Sequence, residues 1–255
     1  MHCFFDLNLK AAEYHDDIVR GISSMKSTGL FFAVQGEAET ILADIHYAWV
    51  KCGECCWRSE NYPLKLVVSG IGKAFASYYL SMLTNDCSRI FIMGTSGGLA
   101  DEKIGSLYLV SEFAEHDMDV SGLGFHLGVT PFCGMKSEIL SNAGAEYIGE
   151  ITAAGKVSGL DFLPGRAVSG DRFINSRELA LKIKEAFTAD LADMESAAVA
   201  KICWRIGKEV LALRYITDNA DHEASNDWMS NVKKASVLFN KVLLALVSRK
   251  TRANM

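Results

Sequence analysis

Arg89-Ile90-Phe91-Ile92-Met93-Gly94-Thr95-Ser96-Gly97-Gly98 is the stretch that decides the fold. Its first half is a short apolar run, typical of a strand buried on both faces, and its second half is a turn of glycine and hydroxyl residues. Ligands of open α/β sheets bind beyond the carboxyl ends of strands, where glycine lets the backbone approach a ligand and hydroxyls can hold an anion or a water. The stretch therefore predicts a buried strand leading into a binding site, although such a turn can equally be structural.

Apolar runs of the same kind recur on both sides of this stretch and alternate with segments in which apolar residues have helical spacing. The other predicted strands cover residues 30–34, 64–68, 107–110, 167–168 and 210–216, and the predicted helices cover 37–50, 74–83, 176–187, 194–206 and 228–248. Strands alternating with helices predict an α/β fold with a largely parallel sheet covered on both faces.

The composition indicates one large domain. The 255 residues include only 3 Pro and are 49% hydrophobic, so the chain has no visible linker and can bury a sizeable core. We expect an N-terminal extension over residues 1–28 and a single domain over 29–250. A net charge of −5 disfavours a nucleic-acid partner, and no apolar run approaches the roughly 18 residues of a membrane span. Since residues 1–6 do not begin a signal peptide, we expect a soluble cytoplasmic protein.

The seven cysteines are an odd number and are scattered along the chain, which indicates reduced thiols. Cys52, Cys55 and Cys56 lie close enough in sequence to suggest a metal or redox site. A tetrahedral metal site needs a second pair of ligands, and no Cys or His pair stands elsewhere at such a spacing. We therefore interpret the cluster as part of a surface hairpin and expect no metal.

Three further segments carry residues that could bind or react with a ligand. Ser169–Asn175 places the ring of Phe173 beside free backbone amides, where a planar heterocycle could stack, although a core phenylalanine would give the same pattern. Glu195 begins an apolar helix; it either complements the positive helix end or binds a ligand with hydroxyls. Asp218 ends an apolar strand near other acids, which suits a proton donor as well as a structural carboxylate. Asp221 is expected to cap the next helix.

Taken together and in this order, these segments resemble the nucleoside phosphorylase/nucleosidase superfamily over residues 29–248, in particular the bacterial 5'-methylthioadenosine/S-adenosylhomocysteine nucleosidases. The matching motifs are Ser69–Lys73, Gly94–Leu99, His116–Val120, Ser169–Ile174, Asp193–Glu195 and Arg214–Asp218. The resemblance implies a three-layer α/β/α sandwich with a central mixed, largely parallel sheet. It also implies hydrolysis of the N-glycosidic bond of 5'-substituted adenine nucleosides, a step of methionine salvage, without metal or organic cofactor.

The resemblance assigns four catalytic residues. Asp218 corresponds to the general acid that protonates N7 of adenine. Glu37 corresponds to the base that holds the attacking water with the help of Arg214 and Thr95, but a slip of two residues would make Glu39 the base. Breaking a ribosyl–base bond builds positive charge on the sugar and negative charge on the base. An acid neutralises the charge on the base, and a carboxylate-activated water attacks the positively charged sugar.

The resemblance also assigns the substrate-binding residues. Met194 and Glu195 correspond to residues against the ribose, Phe173 to the ring that stacks on adenine, and Ile174 to backbone contacts with the base. The pocket for the 5'-alkylthio group corresponds to Ile71, Val120, Leu123, Phe125, Pro131 and Trp228. Because the loop over residues 120–127 is apolar and rich in glycine, we expect it to meet a second subunit in a homodimer.

Three alternatives compete with this function. Phosphorolysis on the same fold needs dedicated cations, usually arginines from the first turn and near the third strand. The first turn contains Glu37 and no arginine, and Arg89 lies too early in its strand, so hydrolysis is favoured. Hydrolysis of another adenine nucleoside, such as 5'-deoxyadenosine or a futalosine-type compound, is a second alternative. A nucleoside-binding protein without activity is disfavoured because Asp218 and Glu37 are both present.

Overall fold

The structure is a computed structural model that describes residues 26–221 and 223–252. The strands are β1 Thr28–Phe32, β2 Trp49–Gly53, β3 Cys56–Ser59, β4 Leu64–Val68, β5 Arg89–Gly98, β6 Leu107–Glu115, β7 Ile139–Leu140, β8 Phe162–Ser169, β9 Leu191–Asp193 and β10 Glu209–Asp218. The helices are α1 Gln35–Ala43, α2 Lys73–Thr84, α3 Ala145–Val157, α4 Arg177–Phe187, α5 Ser196–Ile206 and α6 Ala224–Arg252. Residues 1–25 of the predicted extension lie outside the described residues, and the division into an extension and one domain stays a prediction.

The described strands form one mixed sheet, as predicted. Their order is β2-β3-β4-β1-β5-β9-β8-β6-β10, with β7 beside β6, and β10 also pairs with β5. The strands β5, β9, β8, β6 and β10 therefore close into a ring. Pairing is parallel between β1 and both β4 and β5, between β5 and β10, and between β8 and both β6 and β9.

Helices cover both faces of the sheet, and the central strand β5 contributes side chains to the core on each face. Successive side chains of a strand point to opposite faces, so Phe91 and Met93 enter the core formed with α1, α3 and α6. Ile90 and Ile92 enter the core formed with α2 and α5. A strand between two cores is apolar at every position, which is the pattern that the sequence shows from Ile90 to Met93.

The predicted helix over residues 37–50 is too long. Helix α1 ends at Ala43 because Asp44 takes an extended conformation and its side chain accepts a hydrogen bond from the His46 backbone N at 3.0 Å. A 3₁₀ turn follows, and the chain enters the edge strand β2 at Trp49. The apolar residues after Ala43 therefore belong to a turn and a strand. Helix α3 and the short strands β7 and β9 are missing from the prediction.

Strand register brings the predicted motifs to one place. In the parallel part of the sheet, Phe32 is paired with Val68, and Arg214 with Gly94, so the segments after β1, β4 and β10 meet the end of β5. Strand β9 runs against the end of β5, with Ala192 opposite Gly97, and its neighbour β8 ends beside it at Ser169. The fold thus gathers five separate segments around the end of β5.

Candidate active site

An open cavity of about 760 Å³, including the solvent at its mouth, lies at this end of the sheet. The predicted residues that line it are Glu37, Ile71, Thr95, Phe173, Ile174, Met194, Glu195, Asp218 and Trp228. The cavity therefore combines carboxylates, a hydroxyl and apolar walls.

Glu37 lies on the first turn of α1, and its side chain is only 2% exposed. Its Oε1 accepts hydrogen bonds from Thr95 N at 2.7 Å and Thr95 Oγ1 at 2.8 Å, and its Oε2 accepts from the backbone N of Ala33 and Val34, both at 3.3 Å. Burial raises the pKa of Glu37, and the nearby Arg214 and the Thr95 bonds oppose that rise. Glu39 is exposed and does not line the cavity.

Arg214 does not line the cavity but lies behind it. Its Nη2 forms an ion pair with Asp193 Oδ2 at 2.8 Å, and its Nε donates to Ser196 Oγ at 3.0 Å. A Cβ at position 94 would overlap with Arg214 Nη1, so only glycine allows the guanidinium to approach β5 this closely. Asp193 and Ser196 are supports of the site that the sequence reasoning missed, although a buried arginine always requires such partners.

Asp218 ends β10 and is 2% exposed. Its Oδ2 accepts a hydrogen bond from Thr217 Oγ1 at 2.8 Å, and its Oδ1 accepts from Ala220 N at 3.0 Å. Burial raises the pKa of Asp218, and these two bonds oppose the rise. A raised pKa favours the protonated carboxyl group that a proton donor requires.

Glu195 precedes α5 and is 5% exposed. Burial, reinforced by the charge of Asp193, raises its pKa to about 8. Its Oε1 accepts a hydrogen bond from Gly72 N at 2.9 Å, which ties the loop after β4 to the start of α5. Since Gly72 has a φ of +97°, a residue with a side chain would be strained in this loop.

Aromatic side chains form two further walls. The ring of Phe173 is 42% exposed and so is open to stacking, whereas Ile174 beside it is buried. Trp228, on the second turn of α6, lines the cavity and donates a hydrogen bond from Nε1 to Thr95 Oγ1 at 3.0 Å. The resemblance assigns Trp228 only to the apolar pocket and does not predict this polar contact with Thr95.

Four predicted pocket residues do not reach the cavity in the single chain. They are Val120, Leu123, Phe125 and Pro131, all in the long connection between β6 and β7. Leu123 is 68% exposed, and Phe132 in the same connection is 92% exposed. Their place in a substrate pocket therefore stays a prediction that requires a second subunit.

The cysteine cluster lies in a hairpin, away from the cavity. Cys52 and Cys56 lie in the hairpin of β2 and β3, as predicted, and their Sγ atoms are 3.3 Å apart. Across residues 26–221 and 223–252, no group of three or more His, Cys, Asp or Glu could hold a metal ion. Nor does any helix in that part combine the length and the hydropathy needed to cross a membrane.

Comparisons with known proteins agree with this arrangement. The family model described as "Phosphorylase superfamily" matches residues 33–248. A 5'-methylthioadenosine/S-adenosylhomocysteine nucleosidase of Staphylococcus aureus (strain MRSA252) is 30% identical over 194 residues, 74% of this chain and 83% of the relative. The structure of such a nucleosidase from Neisseria meningitidis in complex with methylthio-immucillin-A is 26% identical with a TM-score of 0.79, over 88% of this chain and 100% of that one. A futalosine hydrolase mutant of Helicobacter pylori shares the fold at 24% identity and a TM-score of 0.78, over 88% and 100% of the two chains.

Proposed function

The chain belongs to the 5'-methylthioadenosine/S-adenosylhomocysteine nucleosidases of the phosphorylase superfamily, as its motifs predict, and on this premise we propose that it hydrolyses the N-glycosidic bond of 5'-substituted adenine nucleosides. The observation that carries the proposal is the presence of two buried carboxyl groups, Glu37 and Asp218, in the lining of one cavity. The products are adenine and the 5'-substituted ribose. A role in methionine salvage and a cytoplasmic location belong to the same proposal. The free cysteines of the described chain support the location, because thiols stay reduced in the cytoplasm.

Asp218 acts as the general acid. Adenine leaves more easily as a neutral base, so a proton must reach N7 as the glycosidic bond lengthens. The buried position that raises the pKa of Asp218 keeps a proton available for this step. Phe173 stacks on the base and the backbone of Ile174 bonds its edge, which holds N7 within reach of the carboxyl group.

Glu37 acts as the general base for the attacking water. Thr95 N and Oγ1 fix one of its carboxylate oxygens, and Arg214 supplies positive charge close by. Glu195 accepts hydrogen bonds from the ribose hydroxyls, because its buried carboxyl group accepts only from Gly72 N among the described residues and needs further donors when it is ionised. Met194 packs against the sugar, and Ile71 and Trp228 contact the 5' substituent.

Turnover is expected to be independent of phosphate. A phosphate ion would have to lie beside the buried carboxylate of Glu37, and like charges repel in such a site. Arg89 cannot supply the compensating charge, because it starts β5, roughly 20 Å from Thr95 at strand spacing, and is paired with Glu150. Adenine release from 5'-methylthioadenosine and S-adenosylhomocysteine should proceed at the same rate with and without phosphate. A ribose 1-phosphate product would contradict hydrolysis and favour a phosphorylase.

The working unit is proposed to be a homodimer. The connection between β6 and β7 exposes Leu123 and Phe132, which would be an unfavourable apolar surface on a monomer. In a two-fold dimer this surface would lie against the partner and complete its 5' pocket with Leu123.

Leu123→Asp is expected to weaken subunit association and to raise KM for the alkylthio substrate together, because a charge would then lie in both the interface and the pocket. Light scattering and steady-state kinetics on the same samples measure both effects. Glu138→Gln, an exposed change in the same connection, is the matched control and should alter neither. A fully active wild-type protein with the mass of one chain would rule out the dimer.

A further inference from the structure

Trp228 is connected to the catalytic base by a chain of two hydrogen bonds. Its Nε1 donates to Thr95 Oγ1 at 3.0 Å, and Thr95 Oγ1 donates to Glu37 Oε1 at 2.8 Å. The same Glu37 oxygen also accepts from Thr95 N at 2.7 Å. Since the ionised carboxylate of a general base can only accept, the proton of the second bond belongs to the Thr95 hydroxyl. A half-buried tryptophan usually places its indole N–H on an acceptor, and here that acceptor is the hydroxyl that is bound to the proposed base.

The two bonds determine what Thr95 can offer to a water molecule. A hydroxyl group has one proton and two acceptor positions. In this site the proton is used by Glu37 and one acceptor position by Trp228, so Thr95 can only accept a further hydrogen bond. A water that contacts both side chains therefore donates one proton to Thr95 Oγ1 and the other to the Glu37 carboxylate. Its lone pairs then face the cavity. Without the indole N–H, the Thr95 hydroxyl could rotate and donate to the water, which would turn the lone pairs away.

We propose that Trp228 is a positioning residue that acts through Thr95 to orient the attacking water. This inference rests on the hydrolase function proposed above. Because Trp228 also lines the cavity, one side chain serves both the apolar wall and the polar network, and substitution by phenylalanine separates the two roles. Phenylalanine retains an aromatic ring but has no N–H.

Steady-state kinetics of Trp228→Phe tests the proposal. The kcat for adenine release is expected to fall roughly 3- to 10-fold, the effect of losing one hydrogen bond in the transition state, while KM changes less than about twofold. Trp57→Phe, the same change in strand β3 and outside the cavity lining, is the matched control and should alter neither constant. A raised KM with an unchanged kcat would mean that Trp228 is only a wall of the pocket.

A double-mutant cycle with Thr95→Val identifies the route of the effect. If Trp228 acts through the Thr95 hydroxyl, Trp228→Phe should cause no further loss of kcat once that hydroxyl is gone. An equal loss in both backgrounds would overturn the proposal, because the effect would then bypass Thr95. Thr95→Ser retains the hydroxyl and should restore the sensitivity to Trp228→Phe.

The hydrogen bond itself can be tested without catalysis. In protein labelled with ¹⁵N-tryptophan, the indole N–H signal of Trp228 is the one missing from Trp228→Phe. Its exchange with solvent should become faster in Thr95→Val, and unchanged exchange would refute the contact. A wild-type protein that releases no adenine would refute the proposed function, whereas normal wild-type hydrolysis with an unaffected Trp228→Phe variant would refute this inference alone.

Discussion

Glu37→Gln is expected to lower kcat for adenine release by about 10⁴-fold, the upper end of what a general base contributes. An amide cannot take the proton of the attacking water, and no other described carboxylate accepts from both Thr95 N and Thr95 Oγ1. Adenine nucleosides should still bind, because Phe173, Ile174 and Glu195 are unchanged. Steady-state kinetics and equilibrium binding of a nucleoside separate the two effects.

The same substitution should also reduce stability. Glu37 accepts four hydrogen bonds and donates none, so the amide nitrogen of glutamine must face either the Thr95 donors or the backbone N–H groups of Ala33 and Val34. Two donors facing each other cost about 1–3 kcal/mol of unfolding free energy. Thermal or denaturant unfolding of both proteins measures this loss and shows whether the variant is folded under assay conditions.

Glu39→Gln is the matched control, since it makes the same chemical change two residues away on an exposed side chain. Its kcat and stability should stay close to those of the wild type. If Glu39→Gln were inactive and Glu37→Gln active, the base would be Glu39 and the assigned register of the first turn would be wrong. The wild-type pH profile adds a check: because burial raises the pKa of Glu37, activity should be lost on the acid side at a higher pH than an ordinary glutamate would give.

The sequence predicted the parts of the fold that are buried on both faces. Strands β1, β4 and β5 are short apolar runs whose positions are plain from composition alone. Strand β8 is much longer than its predicted two residues, because its first half, Phe162–Arg166, carries Pro164 and lies partly exposed, where a strand needs no apolar run. The predicted helix over residues 37–50 was too long because apolar residues also occur in the 3₁₀ turn and the edge strand β2 that follow α1.

The sequence also predicted segments that the fold brings to one cavity, since polar side chains follow the ends of strands that the topology places together. It left the proposed base open between Glu37 and Glu39; the burial and the hydrogen bonds of Glu37 support the first assignment, and the kinetics of the two variants test it. Contacts between distant segments, such as that of Trp228 with Thr95, depend on how α6 packs against the end of β5. Such packing leaves no pattern in the local sequence. The proposed place of Leu123 in a substrate pocket requires a second subunit, so no contact within one chain can test it.

Asp218 differs from Glu37 in that its carboxyl group can be replaced by an amide without loss of hydrogen bonds. In the Asp218→Asn variant, the amide oxygen would still accept from Ala220 N, and the amide nitrogen could donate to Thr217 Oγ1. The Thr217 hydroxyl can meanwhile keep its bond to the Ser96 backbone oxygen at 3.3 Å. The fold and the shape of the cavity should therefore be retained, so that any loss of activity reports on the proton alone.

Asp218→Asn is accordingly expected to reduce kcat by roughly 10²–10⁴-fold, because an amide cannot protonate N7 of the leaving adenine. The unfolding free energy should stay within about 1 kcal/mol of the wild type, in contrast to Glu37→Gln. Asp221→Asn is the matched control: Asp221 accepts from Glu223 N at 3.0 Å before α6, and asparagine serves that position equally well, so its kcat should be unchanged. Near-normal turnover by Asp218→Asn would contradict the assignment of the acid, because the variant would still hydrolyse its substrate without a proton donor at this position.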